Sequence, residues 1–265
     1  MSKKLILHSG GMDSLANILS YMNEFGPDNI ISLGFNYGQR HFEMENRAAQ
    51  SFCDWAEIQR IVLDVPIGQI GGCSLVDHDI PVTTNMAEQR STVVPNRNMI
   101  FLSLAAAVAQ VNDCDTIVHG ACKEDYEAYR DCRDEFFRLT EMAIQAAITN
   151  PVKGDEKLKF NKIDNNGEVV VTGASKLDIQ IETPLVFEKK EETMARILKT
   201  YPSDIYKYSY SCYNGGAIQC GRCPACVERQ VAFYVNGVKD PLEYVDPLTE
   251  EELKELVATA QSANA

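Results

Sequence analysis

No stretch of the 265-residue chain reaches the roughly 18 consecutive apolar residues that a membrane-spanning helix requires. Internal repeats and low-complexity tracts are absent as well. Basic residues are in short supply: 25 Lys and Arg face 38 Asp and Glu, a net charge of −13. That balance works against loose binding to nucleic acid, whose affinity comes largely from neutralised phosphates. It still permits a local basic pocket for a phosphorylated small molecule. The start, "MSKKLILHSGG", is basic but offers only a very short apolar run before Ser9, so it does not read as a secretory leader. The expectation is a cytoplasmic protein that takes no membrane and no nucleic-acid partner.

What is present is an ordinary globular composition, 45% hydrophobic and 24% charged, long enough for one large domain or a domain with an appendage. Strand and helix signals alternate along the first half. Leu5–His8, Ile30–Phe35, Arg60–Val65 and 115–121 read as strands; Ser14–Met22, His41–Cys53 and Asn98–Val111 read as helices. This alternation predicts an α/β fold with a doubly wound, mostly parallel sheet. Ligands of such sheets bind beyond the carboxyl ends of the strands. Ser9–Ser14, Gly34–His41 and His119–Arg133 fall there.

Residues 151–178 differ in character. Within them "KLKFNKIDNNGEVVVTG" reads as two strands joined at Asn165-Asn166-Gly167, an excursion from the sheet. The expected organisation is a main domain over 1–205, then a unit over 206–265 with a cysteine-rich segment and a capped acidic helix.

Between the first strand and the first helix stands Ser9-Gly10-Gly11-Met12-Asp13-Ser14. It is not a Walker A loop, because no Lys follows the glycines, and it lacks the G-x-G-x-x-G of a dinucleotide fingerprint. Adjacent glycines let backbone N–H groups converge on an anion at a helix N-terminus. Ser9 and Ser14 add hydroxyl donors. A turn that merely eases helix–strand packing is the plain alternative, and the two serines with Asp13 in register weigh against it. The stretch resembles the signature of the PP-loop ATP pyrophosphatases, of the Rossmann-type HUP (adenine nucleotide alpha-hydrolase-like) class. That resemblance implies cleavage of ATP between its α and β phosphates, with the loop holding the pyrophosphate.

Nine cysteines is an odd count, and Cys212, Cys220, Cys223 and Cys226 crowd into one segment, spaced C-x7-C-x2-C-x2-C. In a cytosolic chain such crowding points to a metal before disulfides. Four thiolates suit a closed, structural tetrahedral zinc site; the tight spacing also admits an iron–sulfur cluster. Arg222 and Arg229 stand beside the cysteines and are expected to offset thiolate charge.

Further stretches occur in a fixed order: "NYGQRHFEMENRAAQ" (36–50), "STVVPNRNMIFLSLAAAVA" (91–109), "YRDCRDEF" (129–136), "IETPL" (181–185) and the cysteine segment. Together they resemble the QueC family of the queuosine pathway, the 7-cyano-7-deazaguanine synthases. The likeness implies that ATP adenylates the carboxylate of 7-carboxy-7-deazaguanine and ammonia displaces AMP to give an amide. A second ATP then drives the amide to a nitrile. It implies Zn2+ as a structural ion, Mg2+ with the ATP, and a homodimer.

Carried onto this chain, His8, Ser9, Gly10, Gly11, Met12, Asp13, Ser14, Phe35 and Tyr37 are expected at ATP. Arg97, Asn98, Asp125, Asp131 and Arg133 are expected at the substrate, and Cys212, Cys220, Cys223 and Cys226 at the metal. Asp13, Arg97 and Asp131 are the catalytic candidates; Arg97 can grip phosphate or carboxylate bidentately, and Asp131 can accept the base's N–H donors. Arg40 and His41 are candidate positive charges. Tyr126 or Tyr129 is expected to stack on the base, and Glu135 is a further acid. Two departures stand out: Arg130 occupies the place of the family's Pro, and the segment near 150–178 is longer than usual. They leave open an enzyme that stops at the amide or joins the base to another acceptor. A PP-loop tRNA-modifying enzyme and a zinc-ribbon binding module are the more distant readings.

Overall fold

The computed structural model describes residues 2–83, 91–149, 160–163, 169–172 and 179–262. Five strands, β1 (Lys3–Leu7), β2 (Ile30–Asn36), β3 (Gln59–Asp64), β4 (Cys114–Val118) and β7 (Gln180–Glu182), lie parallel in the order β3-β2-β1-β4-β7. The inner strands bury consecutive apolar pairs, Leu5-Ile6, Ile30-Ile31 and Ile117-Val118, because helices cover both faces, the usual condition of a parallel sheet. Successive residues serve opposite layers. Leu5, Ile31, Leu33 and Ile117 pack beneath α3 (Arg97–Val111) and α5 (Asp134–Thr149). Ile6, Ile30 and Val118 pack against α1 (Met12–Phe25), α2 (Phe42–Ala56), α6 (Lys190–Ile197) and α7 (Pro224–Val235). Ala105 and Ala109 of α3 are fully buried, so small side chains bring that helix close to the sheet.

The chain runs outward from β1 to β3, then returns through α3 to place β4 on the other side of β1. The loops after β1 and β4 therefore flank a topological switch point, where open α/β sheets bind ligands. α4 (Lys123–Ala128) and a 3-10 turn at Arg130–Cys132 follow β4.

β5 (Phe160–Ile163) and β6 (Val169–Thr172) pair antiparallel, Phe160 opposite Thr172 and Ile163 opposite Val169. This is the expected hairpin; its turn, Asn165-Asn166-Gly167, lies outside the described residues. α8 (Glu250–Ser262) is the expected capped acidic helix: Thr249 N donates to Glu252 Oε2 at 2.7 Å and Glu252 N donates to Thr249 Oγ1 at 3.2 Å. Pro224, between the third and fourth cysteines of the segment, opens α7 at a position where its missing N–H costs nothing. β7 has three residues, too few to show a period.

Candidate active site

The glycine loop is built by constraints on both sides. Gly10 has φ +109°, and a Cβ there would lie 2.2 Å from the Glu45 carbonyl oxygen, so only glycine fits. Gly11 stands at the N-cap of α1. The serine hydroxyls tie the loop to itself: Gly11 N donates to Ser9 Oγ at 3.1 Å, and Ser14 Oγ donates to Gly11 O at 3.0 Å. Beneath, Arg60 Nη1 donates to His8 O at 3.0 Å and to Ser32 Oγ at 2.8 Å. A Cβ on Gly34 would fall 2.5 Å from Arg60 Nη2, so that glycine makes room for the guanidinium. His8 is buried against Ser32, and burial holds its imidazole well below the ordinary range.

A cleft of about 260 Å³ opens beyond the strand ends. His8, Ser9, Gly11, Asp13 and Ser14 line one wall; Gly34, Phe35 and Tyr37 line another. Arg97 and Asn98 enter from the start of α3, and Asp125, Tyr129 and Asp131 from beyond β4. Five candidates face elsewhere. Met12 packs into the core under α1. Gly10 gives its carbonyl to Tyr210 N at 2.8 Å, linking the loop to the cysteine segment. Arg133 is exposed, its Nε donating to Tyr126 O at 3.3 Å. Glu135 is exposed, and Tyr126 sits against Phe187 outside the cleft.

Arg97 is the chief electrostatic feature. Its Nη1 donates to the Tyr37 hydroxyl at 3.3 Å, and no carboxylate pairs with it among the described residues. Burial works against its charge, the Tyr37 hydroxyl supports it, and the cation persists. A partly buried guanidinium without an anion is a seat for one. Asn98 Nδ2 donates to Asp131 O at 3.1 Å and so fixes the 3-10 turn, leaving the Asp131 carboxylate without an ion pair among the described residues. Asp125 Oδ2 accepts from Cys122 N at 3.2 Å and caps α4.

Arg40 and His41 bring no charge to the cleft. Arg40 Nη2 donates to the carbonyls of Asp77 and Ile80 at 2.7 and 2.9 Å, and burial lowers His41 to about 4. His119 is likewise lowered by burial to about 4, and its Nδ1 accepts from Ala121 N at 3.0 Å.

Three groups reach the site without a local sequence signal. Lys190 Nζ donates to Asp13 at 2.8 Å and lies 3.1 Å from Cys122 Sγ. Burial alone would lower that lysine; Asp13 outweighs it and holds the ammonium well above its ordinary value. Arg60 is the second. Glu45, on the first turn of α2, is the third: burial lifts it to about 8, against the opposing pull of Arg97 and Arg60.

The four cysteine sulfurs lie within 4.8 Å of one another, with Cys220 and Cys226 at 3.9 Å. Backbone amides of Arg222 and Cys223 point at Cys220 Sγ from 3.4 and 3.3 Å. The arginines do not offset thiolate charge as expected. Arg222 is taken by Asp246 at 2.8 Å and Glu252 at 2.6 Å; Arg229, fully buried, is taken by Asp240 through two bonds of 2.7 and 2.8 Å. Both tie residues 240–252 over the cysteines.

The family model described as "Queuosine biosynthesis protein QueC" matches residues 3–237. A protein of Psychromonas ingrahamii named 7-cyano-7-deazaguanine synthase is 34% identical over 253 residues, covering 93% of this chain and all of its own length, 100%. One of Pseudoalteromonas translucida with the same name is 34% identical, over 91% of this chain and 98% of that protein. Among solved structures, NMN synthetase from Francisella tularensis aligns with 99% of this chain and 85% of its own, at TM-score 0.44 and 10% identity. The chain is an enzyme of the QueC family of queuosine biosynthesis proteins.

Proposed function

We propose that this enzyme is a C–N ligase that converts 7-carboxy-7-deazaguanine and ammonia to 7-cyano-7-deazaguanine, spending two ATP. One observation carries the reading: the glycine loop and an Arg97 with no carboxylate partner face one cleft at the sheet's switch point. A carboxylate is a poor electrophile and must first be activated. Arg97 holds it; the backbone N–H groups of Ser9–Ser14 at the α1 N-terminus stabilise the departing pyrophosphate. Phe35, stacked on Phe101 with centroids 4.1 Å apart, gives the cleft a flat apolar wall for a purine-like ring. Asp131 accepts from the deazaguanine N–H groups.

Lys190 takes Asp13 through Oδ2; the other carboxylate oxygen is the one that would meet magnesium accompanying the triphosphate. The cysteines fit zinc: sulfurs about 2.3 Å from one ion stand roughly 3.8 Å apart, close to the 3.9 Å between Cys220 and Cys226. A four-iron cluster would hold its thiolates wider. The chain works in the cytoplasm on small molecules, as a homodimer, with 1–205 as catalytic domain and 206–265 as metal-bearing unit.

A second reading has a specific basis. Arg130 opens the 3-10 turn that carries Asp131, where the related pattern has Pro. An altered turn changes what lies over the base, and such an enzyme stops at the amide or passes the base to another acceptor. Mass spectrometry of products from ATP, magnesium, ammonium and 7-carboxy-7-deazaguanine separates the readings. A nitrile with two AMP supports the synthase; accumulated amide supports the second; no AMP defeats both.

A further inference from the structure

Making one nitrile from one ammonia removes three N–H protons: one as the amide forms and two as it is dehydrated. A base beside the reacting carbon has to take them. Most cleft-lining groups are already engaged. Asp13 holds Lys190, Asp125 caps α4, and His119 Nδ1 accepts from Ala121 N. Asp131 is set aside for the base's own N–H donors.

Glu45 is different. It lines the cleft from the first turn of α2, its backbone carbonyl against Gly10 of the loop and its carboxyl within the field of Arg97. Its side chain is 15% exposed, and its nearest basic group, His41 Nε2, stands at 3.6 Å. Glu45 thus shares one cleft with the glycine loop, and its carboxyl lies within the field of Arg97, the group assigned to the substrate carboxylate.

We infer that Glu45 is the general base of both amidation and dehydration, an assignment that rests on the function proposed above. In the first round the ammonia lone pair attacks the acyl carbon of the adenylate. The C–N bond forms, the C–O bond to AMP breaks with its electron pair leaving on AMP, and a proton passes from nitrogen to Glu45. In the second round the amide oxygen displaces pyrophosphate from ATP. Loss of the remaining N–H protons, with departure of AMP, leaves the nitrile. Glu45 returns each proton to water at the cleft.

Its surroundings suit the task. Burial raises Glu45 to about 8, near the working pH at which a base is most effective. The groups around it do not titrate nearby: His41 is lowered to about 4, burial raises the Tyr37 and Tyr213 hydroxyls, and Arg97 and Arg60 stay charged.

The test is Glu45→Gln, which is isosteric with the protonated acid of the resting site. ATP–pyrophosphate exchange dependent on 7-carboxy-7-deazaguanine needs no base on nitrogen and stays within about twofold of wild type. Amide and nitrile formation fall about 100-fold. In the wild type, kcat at saturating ammonium rises through about pH 8, and the variant loses that rise. Glu45→Asp, keeping a shorter carboxylate, recovers part of the product rate. Product formed at the wild-type rate by Glu45→Gln overturns the assignment. So does equal loss of exchange and product, or a wild-type rate that falls through that pH. Wild-type protein without any exchange defeats the proposed function instead.

Discussion

The cleft and the cysteine segment treat buried charge in opposite ways. In the segment, Arg229 is fully buried and its guanidinium meets Asp240 twice, Ser209 Oγ at 2.7 Å and Tyr206 O at 3.2 Å. In the cleft, Arg97 meets one tyrosine hydroxyl and no carboxylate among the described residues. Desolvating a charge is costly unless partners replace the water. The saturated arginine therefore belongs to the fold, whereas the one left short of partners keeps its capacity for a ligand.

Four experiments put that contrast under strain. The largest effect is expected from Arg229→Ala, which strands Asp240 and empties a buried volume. It lowers stability by about 3–5 kcal/mol and loosens metal retention, read by denaturant unfolding and metal content. An Arg229→Ala protein as stable as wild type would erase the distinction. Arg97→Ala should do the reverse. The thermal midpoint holds or rises, while kcat/KM for 7-carboxy-7-deazaguanine falls about 100-fold, the loss expected for hydrogen bonds to a charged group. Melting without a catalytic defect would make Arg97 a fold residue.

Glu45 supplies a smaller, pH-dependent effect. Folded protein keeps its proton up to about 8, against an ordinary value of 4.5. Between those values the folded state binds more protons than the unfolded one. Glu45's contribution to stability is therefore full below the ordinary value and is lost as pH rises toward the folded one. Glu45→Gln should gain stability relative to wild type on going from about pH 5 to about pH 8. His41 and His119, lowered to about 4 from 6.5, impose the opposite slope as pH falls from 6.5 to 4, so the comparison is read above about pH 6.5, where both rings are neutral folded and unfolded. A pH-independent difference would mean that Glu45 is ionised in the fold. The smallest effect is reserved for Arg222→Ala. Its partners Asp246 and Glu252 are well exposed, and exposed ion pairs contribute little. Unfolding should be unchanged within error, and a large loss would show that the strap depends on this contact.

Where the sequence was informative, one local rule sufficed. The parallel sheet shows in apolar runs such as "IISLGF", because strands covered on both faces need no polar alternation. The glycine loop is legible because two glycines between strand and helix exclude side chains from one place. The cysteine spacing places its four sulfurs together without help from the rest of the chain. Other parts depend on distance contacts. Lys190 meets Asp13 from 177 positions away, and nothing about Lys189-Lys190 in a charged helix distinguishes it from a solvated pair. Arg60 sits in a strand and points under the loop only because Gly34 leaves the space. Asp125 and Asn98 line the cleft as expected, yet their polar groups also secure α4 and the following turn, a second duty that local pattern does not carry.

The central claim is that Arg97 and the glycine loop together activate a carboxylate by adenylation, and oxygen-18 in that carboxylate tests it most directly. The account predicts that both labelled oxygens leave in AMP, one in each of two AMP molecules, with none in pyrophosphate. Label in phosphate, in pyrophosphate or kept in the product nucleus alongside a formed nitrile would contradict it.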